Sequence, residues 1–248
     1  MGDYLKITQL WVTIARIQKE NMNRASQRYI AIIADMVRSR DLSSSQRRAL
    51  QRRFTHLIDN LNREYRKAIA AKFVITLGDE FQGILHSAAL VPDLIWHLEQ
   101  NFPERELRVG IGFGTLDTPL QRVAINVDGP VLHATRAAID HAKKAKALGG
   151  VFHGFDDLDD ILNGIARLLW FHRSRWTPAQ RSIASLLRKG MSQIQVAEKL
   201  KIAKQVVSRQ VLAAGCFQYI AAENAWRMIL QQQVDPLLSS KHVLSRRH

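Results

Sequence analysis

Apolar residues along this chain fall into two kinds of run. "RYIAIIADMV" (28–37), "KFVITL" (72–77), "EFQGIL" (80–85) and "ELRVGIGFGTL" (106–116) are short and dense in apolar and β-branched residues. They read as strands, the first of them buried. Between them the spacing changes to three and four. Leu50, Phe54, Leu57, Ile58, Leu61 and Tyr65 recur at helical intervals, with Ser43, Ser44 and Ser45 available as N-cap. A helix is expected across 87–100, ending before Pro103. Another, over 128–145, opens with Gly129-Pro130 and aligns Val131, Ala134, Ala138, Ala142 and Ala145 on one face. Such small residues suit close contact with a sheet, and Gly110, Gly112 and Gly114 let a second backbone approach. "GGVFHGF" reads as an edge strand, and Leu158, Ile161, Leu162, Ile165, Leu168 and Leu169 mark a further amphipathic helix.

The order strand–helix–strand–strand–helix–strand–helix predicts an α+β fold of ferredoxin-like topology, with helices on one face of an antiparallel sheet. In that topology the first strand lies beside the central hairpin. Asp35, at the end of the first strand, then approaches Asp79 at the hairpin tip, although 44 positions separate them. No internal repeat or low-complexity tract interrupts the pattern.

Beyond residue 175 the chain is helical in pattern. In "WTPAQRSIASLLRKGMSQIQVAEKLKIAKQVVSRQVLAAG" (176–215), Thr177-Pro178 starts one helix, with Ile183, Leu186 and Leu187 on its apolar face. Gly190 ends it. Ser192 caps a second helix carrying Val196, Ala197 and Leu200. After a turn at Lys201-Ile202, a third holds Val207 and Val211 inward. The small Ala197 allows a close crossing, and Leu200, Ile202 and Val207 make up a miniature core. Lys201 has to take the left-handed turn that glycine usually fills. This spacing resembles an all-α helix-turn-helix of the LuxR or sigma-factor type. Its third helix would place Lys204, Gln205, Ser208 and Arg209 against base edges, with Lys199, Lys201 and Arg181 on phosphates.

Charge sharpens that reading. Residues 165–248 carry 14 Lys and Arg against 3 Asp and Glu, a net of +11; residues 1–164 carry 22 against 19. A near-neutral body with a basic C-terminal third suggests a module for a polyanion, here double-stranded DNA. No run of eighteen apolar residues occurs, so no membrane span is expected. The single cysteine, Cys216, sits in "AAGCFQYI" and fits a small core residue in a reducing cytoplasm. The acidic "DDLDD" (156–160) is placed where a helix start favours negative charge.

The hairpin "KFVITLGDEFQG" (72–83) sets Asp79 and Glu80 at its tip. Either these are solvated turn residues, or they hold a metal together with Asp35. Magnesium takes hard oxygen ligands, commonly one or two carboxylates plus phosphate oxygens.

"YIAIIADMVRSR", "KFVITLGDEFQG", "RVGIGFGT" and "DGPVLHATRAAI", in this order and followed by the helical module, resemble the SatD family of bacterial proteins. The resemblance implies a first domain similar to the palm-type fold of class III nucleotidyl cyclases and GGDEF diguanylate cyclases. In those cyclases an Asp ending the first strand and the Asp of the hairpin bind two divalent metals that clamp a nucleoside triphosphate. By that resemblance Asp35 and Asp79 are ligands for Mg²⁺ or Mn²⁺, and Gly78 and Glu80 border the nucleotide. Arg136 matches the arginine that stabilises the transition state. Leu132 occupies the position of its partner asparagine, and His133 follows it. Ile75 stands where adenylyl cyclases carry the lysine that reads adenine, so that determinant is missing.

The expected organisation is an N-terminal extension (1–27), a cyclase-like palm domain (28–172), a helix-turn-helix domain (173–230) and a flexible tail (231–248). The function expected is that of a DNA-binding regulator whose palm domain binds a nucleotide with a divalent metal. The alternatives are a Mg-dependent nucleotidyl cyclase or nucleotidyltransferase, and a degenerate palm that serves only dimerisation. Class III cyclase sites form between two subunits, and a helix-turn-helix reading two half-sites wants two copies, so a homodimer is expected.

Overall fold

The structure, a computed structural model, describes residues 27–37 and 43–238. The expected extension, up to residue 26, and the last ten positions lie outside the described residues. The first elements are β1 (Arg28–Met36), α1 (Ser44–Glu64), β2 (Ile69–Leu77) and β3 (Glu80–Leu85). Next come α2 (Val91–Asn101), β4 (Leu107–Thr115), α3 (Pro130–Ala145) and β5 (Val151–His153). Ser43 caps α1 reciprocally, its hydroxyl accepting from the Gln46 N–H while the Gln46 side chain accepts from its own. Helix α2 starts at Val91 rather than 87, with Pro92 in its first turn.

The protein has an α+β fold with a five-stranded sheet in the order β2-β3-β1-β4-β5. β1 runs antiparallel to both β3 and β4, so the first strand does lie beside the central hairpin. Two features depart from the expected antiparallel sheet with one covered face. β5 is parallel to β4, because α3 carries the chain back across the sheet before β5 begins. Helices also cover both faces. Ile30, Ile32, Ala34 and Met36 of β1 share a core with Phe54 and Leu61 of α1 and Leu94 and Leu98 of α2. On the other face, Ile33 meets Ala138, Ile139 and Ala142 of α3. A strand buried on both faces shows a continuous apolar run, as β1 does.

Helix α3 lies close on β4 through the glycines. A Cβ on Gly112 would stand 2.4 Å from the Thr135 nitrogen, and one on Gly110 would stand 2.6 Å from that of Ile139. The buried face is Val131, Thr135, Ala138, Ile139 and Ala142. Of the residues expected on it, Ala134 is half-buried and Ala145, the last residue of the helix, is exposed.

The chain continues through α4 (Asp159–Ser174), α5 (Pro178–Arg188), α6 (Gln193–Leu200), α7 (Lys204–Ala213) and α8 (Cys216–Ile229). Asp159 accepts from the Gly154 and Phe155 nitrogens, a use of the acidic run at the helix start. On α4, Leu162, Ala166 and Leu169 are buried while Ile161 and Leu168 face outward. These helices are joined to the sheet domain by one core, in which Trp176, Ile183, Tyr219 and Trp226 belong with the β1, α1 and α2 residues. Ion pairs tie the same seam. Arg173 grips Glu99 of α2 through two 2.5 Å bonds, and Arg188 bridges Asp93 of α2 and Glu223 of α8. The expected division after residue 172 is therefore not a gap in the core.

The expected tail is also partly ordered. A π-helical turn (Leu230–Val234) leads into α9 (Asp235–Leu238), with Val234 and Leu238 buried. Asp235 accepts from the Ala88 nitrogen at 2.5 Å and from Ser87, fixing the turn before α2. Among the described residues, no helix is long and apolar enough to cross a membrane.

Candidate functional site

Three neighbouring strands present their chemistry at one corner of the sheet. The register sets Asp35 of β1 opposite Glu80 of β3 on one side and Arg108 of β4 on the other. Asp79 is drawn in by the turn, where its carbonyl accepts from the Met36 nitrogen at 3.0 Å. Helix α3 closes the corner from above. Arg136 holds Glu80 with two parallel bonds of 3.0 and 3.1 Å, the fork geometry that suits guanidinium and carboxylate. Two helical turns further on, Lys143 stands 3.5 Å from both Glu80 and Asp35. Arg108 reaches Asp35 at 3.5 Å.

Asp35 and Glu80 are 8% and 3% exposed, so the corner is buried and its charges must be matched. Glu80 is matched by Arg136. Asp35 is not fully matched: its Oδ1 is buried without a hydrogen-bond partner, as is the Arg108 Nε. Burial pushes the Asp35 carboxyl above its ordinary value, Lys143 and Arg108 pull it back, and Asp79 adds to the rise.

The expected site residues separate accordingly. Asp35, Asp79 and Glu80 are brought together, and Arg136 joins them. Gly78 sits exposed at the turn, where a Cβ would meet nothing, so the turn does not require glycine for space. His133 stays away from the corner, solvent-exposed and paired with Asp128 at 2.9 Å. Among the described residues no group of three or more His, Cys, Asp or Glu side chains is placed to hold a metal. The oxygens that would hold a hard divalent ion here are the unpartnered Asp35 Oδ1 and the carboxylate of Asp79. Such an ion would supply positive charge for phosphate. Arg108 and Lys143 went unnoticed in the sequence. Lys143 lies seven positions after Arg136, hence on the same helical face, which was a usable signal.

The second region is the α5–α6–α7 segment. Thr177 and Ser192 each cap their helix with a reciprocal bond to a glutamine three residues on. Lys201 takes the left-handed conformation, φ 54° and ψ 44°, between α6 and α7. Ile183, Leu187, Val196, Ala197, Val207 and Val211 are buried, whereas Ile202, expected in the small core, is 38% exposed. Lys204, Gln205, Ser208 and Arg209 all lie exposed on α7, and Lys199 and Lys201 are exposed nearby. None of these six side chains hydrogen-bonds or ion-pairs with another described residue. Arg181 differs. It is half-buried and donates to the Arg173 carbonyl at the end of α4. Cys216 is fully buried, and its thiol is pushed up by that burial.

The model of the SatD family matches residues 29–230, a range that takes in the sheet, the corner and the helical segment. The chain belongs to the SatD family. A search of curated proteins finds no match. The matched range runs from the second residue of β1 to the first residue of the π-helical turn, so the corner and the α5–α7 segment both lie within the SatD match.

Proposed function

We propose that this SatD-family protein is a DNA-binding regulator whose sheet domain binds a nucleotide with a divalent metal. The outer face of α7 carries the reading. Four polar side chains, Lys204, Gln205, Ser208 and Arg209, are exposed there and engaged with no described residue. In a helix-turn-helix, α7 would enter the major groove, with Gln205 suited to adenine and Arg209 to guanine. Lys199 and Lys201 would hold phosphates, and the +11 charge of residues 165–248 supplies long-range attraction. Arg181, held against α4, is a weaker candidate for that task.

The strand order and the carboxylates at the β1 end and hairpin tip support a ferredoxin-like, cyclase-like reading of the sheet domain. The unpartnered Asp35 Oδ1 supports a divalent ion between Asp35 and Asp79. Binding is favoured over turnover because Arg136 is taken up by Glu80. It holds the hairpin to α3 instead of standing free for a transition state.

Two assays on the full chain test the proposal. A mobility-shift titration with mixed-sequence duplex should give a shifted complex at low salt that is lost as salt rises. Equilibrium dialysis with each nucleoside triphosphate and Mg²⁺ should show retention that Asp79→Asn lowers about tenfold or more, with the DNA shift unchanged. No shifted complex at low salt would defeat the DNA reading. Equal retention by Asp79→Asn would defeat the metal site.

A further inference from the structure

Two cavities lie side by side, the first of them against the carboxylate corner. One, of about 600 Å³, is lined by Arg105, Arg108, Lys143 and Lys146. The other, of about 300 Å³, is walled by Phe102, Leu107, Trp170 and Gln100 and closes on Ser174 and Arg181. Pro103, Arg105, Glu106 and Leu148 belong to both walls, so the two form one bent groove. It begins at the residues that contact Asp35 and ends at the first turn of α5.

The groove has donors in excess. Arg108 and Lys143 reach Asp35 only at 3.5 Å, and the Arg108 Nε is buried without a partner. Arg105 and Lys146 have no ion pair with a described residue. Of the three acids that line it, Glu99 is held by Arg173 and Glu104 by Arg53, which leaves Glu106 against the four cations. In the second cavity the Gln100 amide nitrogen is buried and lacks an acceptor. Unmatched donors beside an apolar wall call for a ligand with anionic oxygens at one end and a flat, largely apolar body at the other.

We propose that the groove holds one phosphorylated ligand end to end, and that the helix-turn-helix senses its presence. The phosphates lie against Arg105, Arg108, Lys143 and Lys146. The planar body lies against Trp170 and Leu148, where the Gln100 amide donates to it. This rests on the nucleotide reading above and adds where the ligand lies and what it controls. The far end of the groove is built from the α4–α5 junction. Arg181 donates there to the Arg173 carbonyl, and Gln180, on the same helix turn, donates to Gln210 of α7 at 3.1 Å. A body filling the second cavity presses on Arg181 and so on the seat of α7. Ligand and DNA affinities are then coupled, each changing the other by the same factor.

Calorimetric titration of the full chain with inorganic tripolyphosphate, ATP and GTP, each with Mg²⁺, tests this. Arg105→Gln and Lys146→Gln remove cations that hold no other element in place. Each should weaken tripolyphosphate and nucleotide alike by about tenfold, equivalent to about 1.4 kcal/mol. Trp170→Leu, checked for an unchanged melting temperature, should weaken the nucleotides about fivefold and leave tripolyphosphate untouched, since it removes an aromatic face. Saturating nucleotide should shift the DNA Kd about fivefold or more in the wild type, within the usual range of coupling, and not in Trp170→Leu. If Asp79→Asn abolishes nucleotide binding while Arg105→Gln and Trp170→Leu bind like wild type, the groove is wrong and the metal–nucleotide reading stands. If tripolyphosphate binds through Arg105 but no nucleotide binds, the end-to-end ligand is overturned together with the nucleotide reading. Nucleotide binding that leaves DNA affinity unchanged overturns the coupling.

Discussion

The corner around Asp35 and the outer face of α7 use similar residues in opposite ways. At the corner, two buried carboxylates face Arg108, Arg136 and Lys143, and the guanidinium of Arg136 is locked on Glu80. On α7, Lys204 and Arg209 face solvent with no described carboxylate in reach. A buried charge must be matched inside the fold, because its desolvation is otherwise uncompensated. A surface charge left unmatched costs the fold little and remains available to a polyanion. Composition alone does not separate the two uses, and the local geometry does.

The largest expected effect falls at the corner. Arg136→Ala leaves Glu80 buried with only Thr76 and Lys143, at 3.4 and 3.5 Å, and should destabilise the protein by about 3 kcal/mol, the scale of a broken buried pair. Glu80→Gln leaves only the half-exposed Arg136, which water can solvate, and should cost less. Denaturant unfolding orders the two variants, and the reverse order would show that the pair is not what holds the corner. On α7 the pattern inverts. Arg209→Ala should leave unfolding within about 0.5 kcal/mol of wild type, yet cost about 1–3 kcal/mol on a cognate duplex. Lys199→Ala should weaken cognate and mixed-sequence duplex about equally, because a phosphate contact carries no sequence information.

The smallest effect is one of pH. Burial raises Asp35 above its ordinary 3.8, so just above that pH the native state holds a proton that the unfolded chain has released. Stability should therefore fall as pH rises through that window and level off above the folded-state pKa. Asp35→Asn should remove this slope without lowering metal-free stability near neutral pH. A slope of the opposite sign would mean that Lys143 and Arg108 outweigh burial.

The comparison also explains what could be read in the sequence. The caps at Ser43, Thr177 and Ser192, the left-handed Lys201 and the close approach at Gly110 and Gly112 are local, and each follows from a few neighbouring residues. Asp35 beside the hairpin followed from strand order. Arg108 opposite Asp35 did not, since register is decided by two strands 73 positions apart. The covering of both sheet faces was present in the unbroken apolar run of β1, where Ala31 and Ile33 serve α3. The basic C-terminal third suggested a separable module, but surface charge says nothing about the buried side. There Arg173, Arg188 and Trp176 join the helices to α2. Asp235 at the Ala88 nitrogen is a contact across 147 positions that no local pattern announces.

In the proposed function, unengaged charge on and beside α7 binds DNA. Fluorescence anisotropy of the full chain on a labelled mixed-sequence duplex, between about 50 and 200 mM salt, tests it most directly. Wild type should lose affinity linearly in log–log form, and the Lys199→Ala/Lys201→Gln double variant, which removes the two phosphate contacts, should show a slope shallower by about one or more. Arg136→Ala, measured where it is still folded, should keep the wild-type slope. Binding that does not respond to salt, or a double variant with the wild-type slope, would contradict the account.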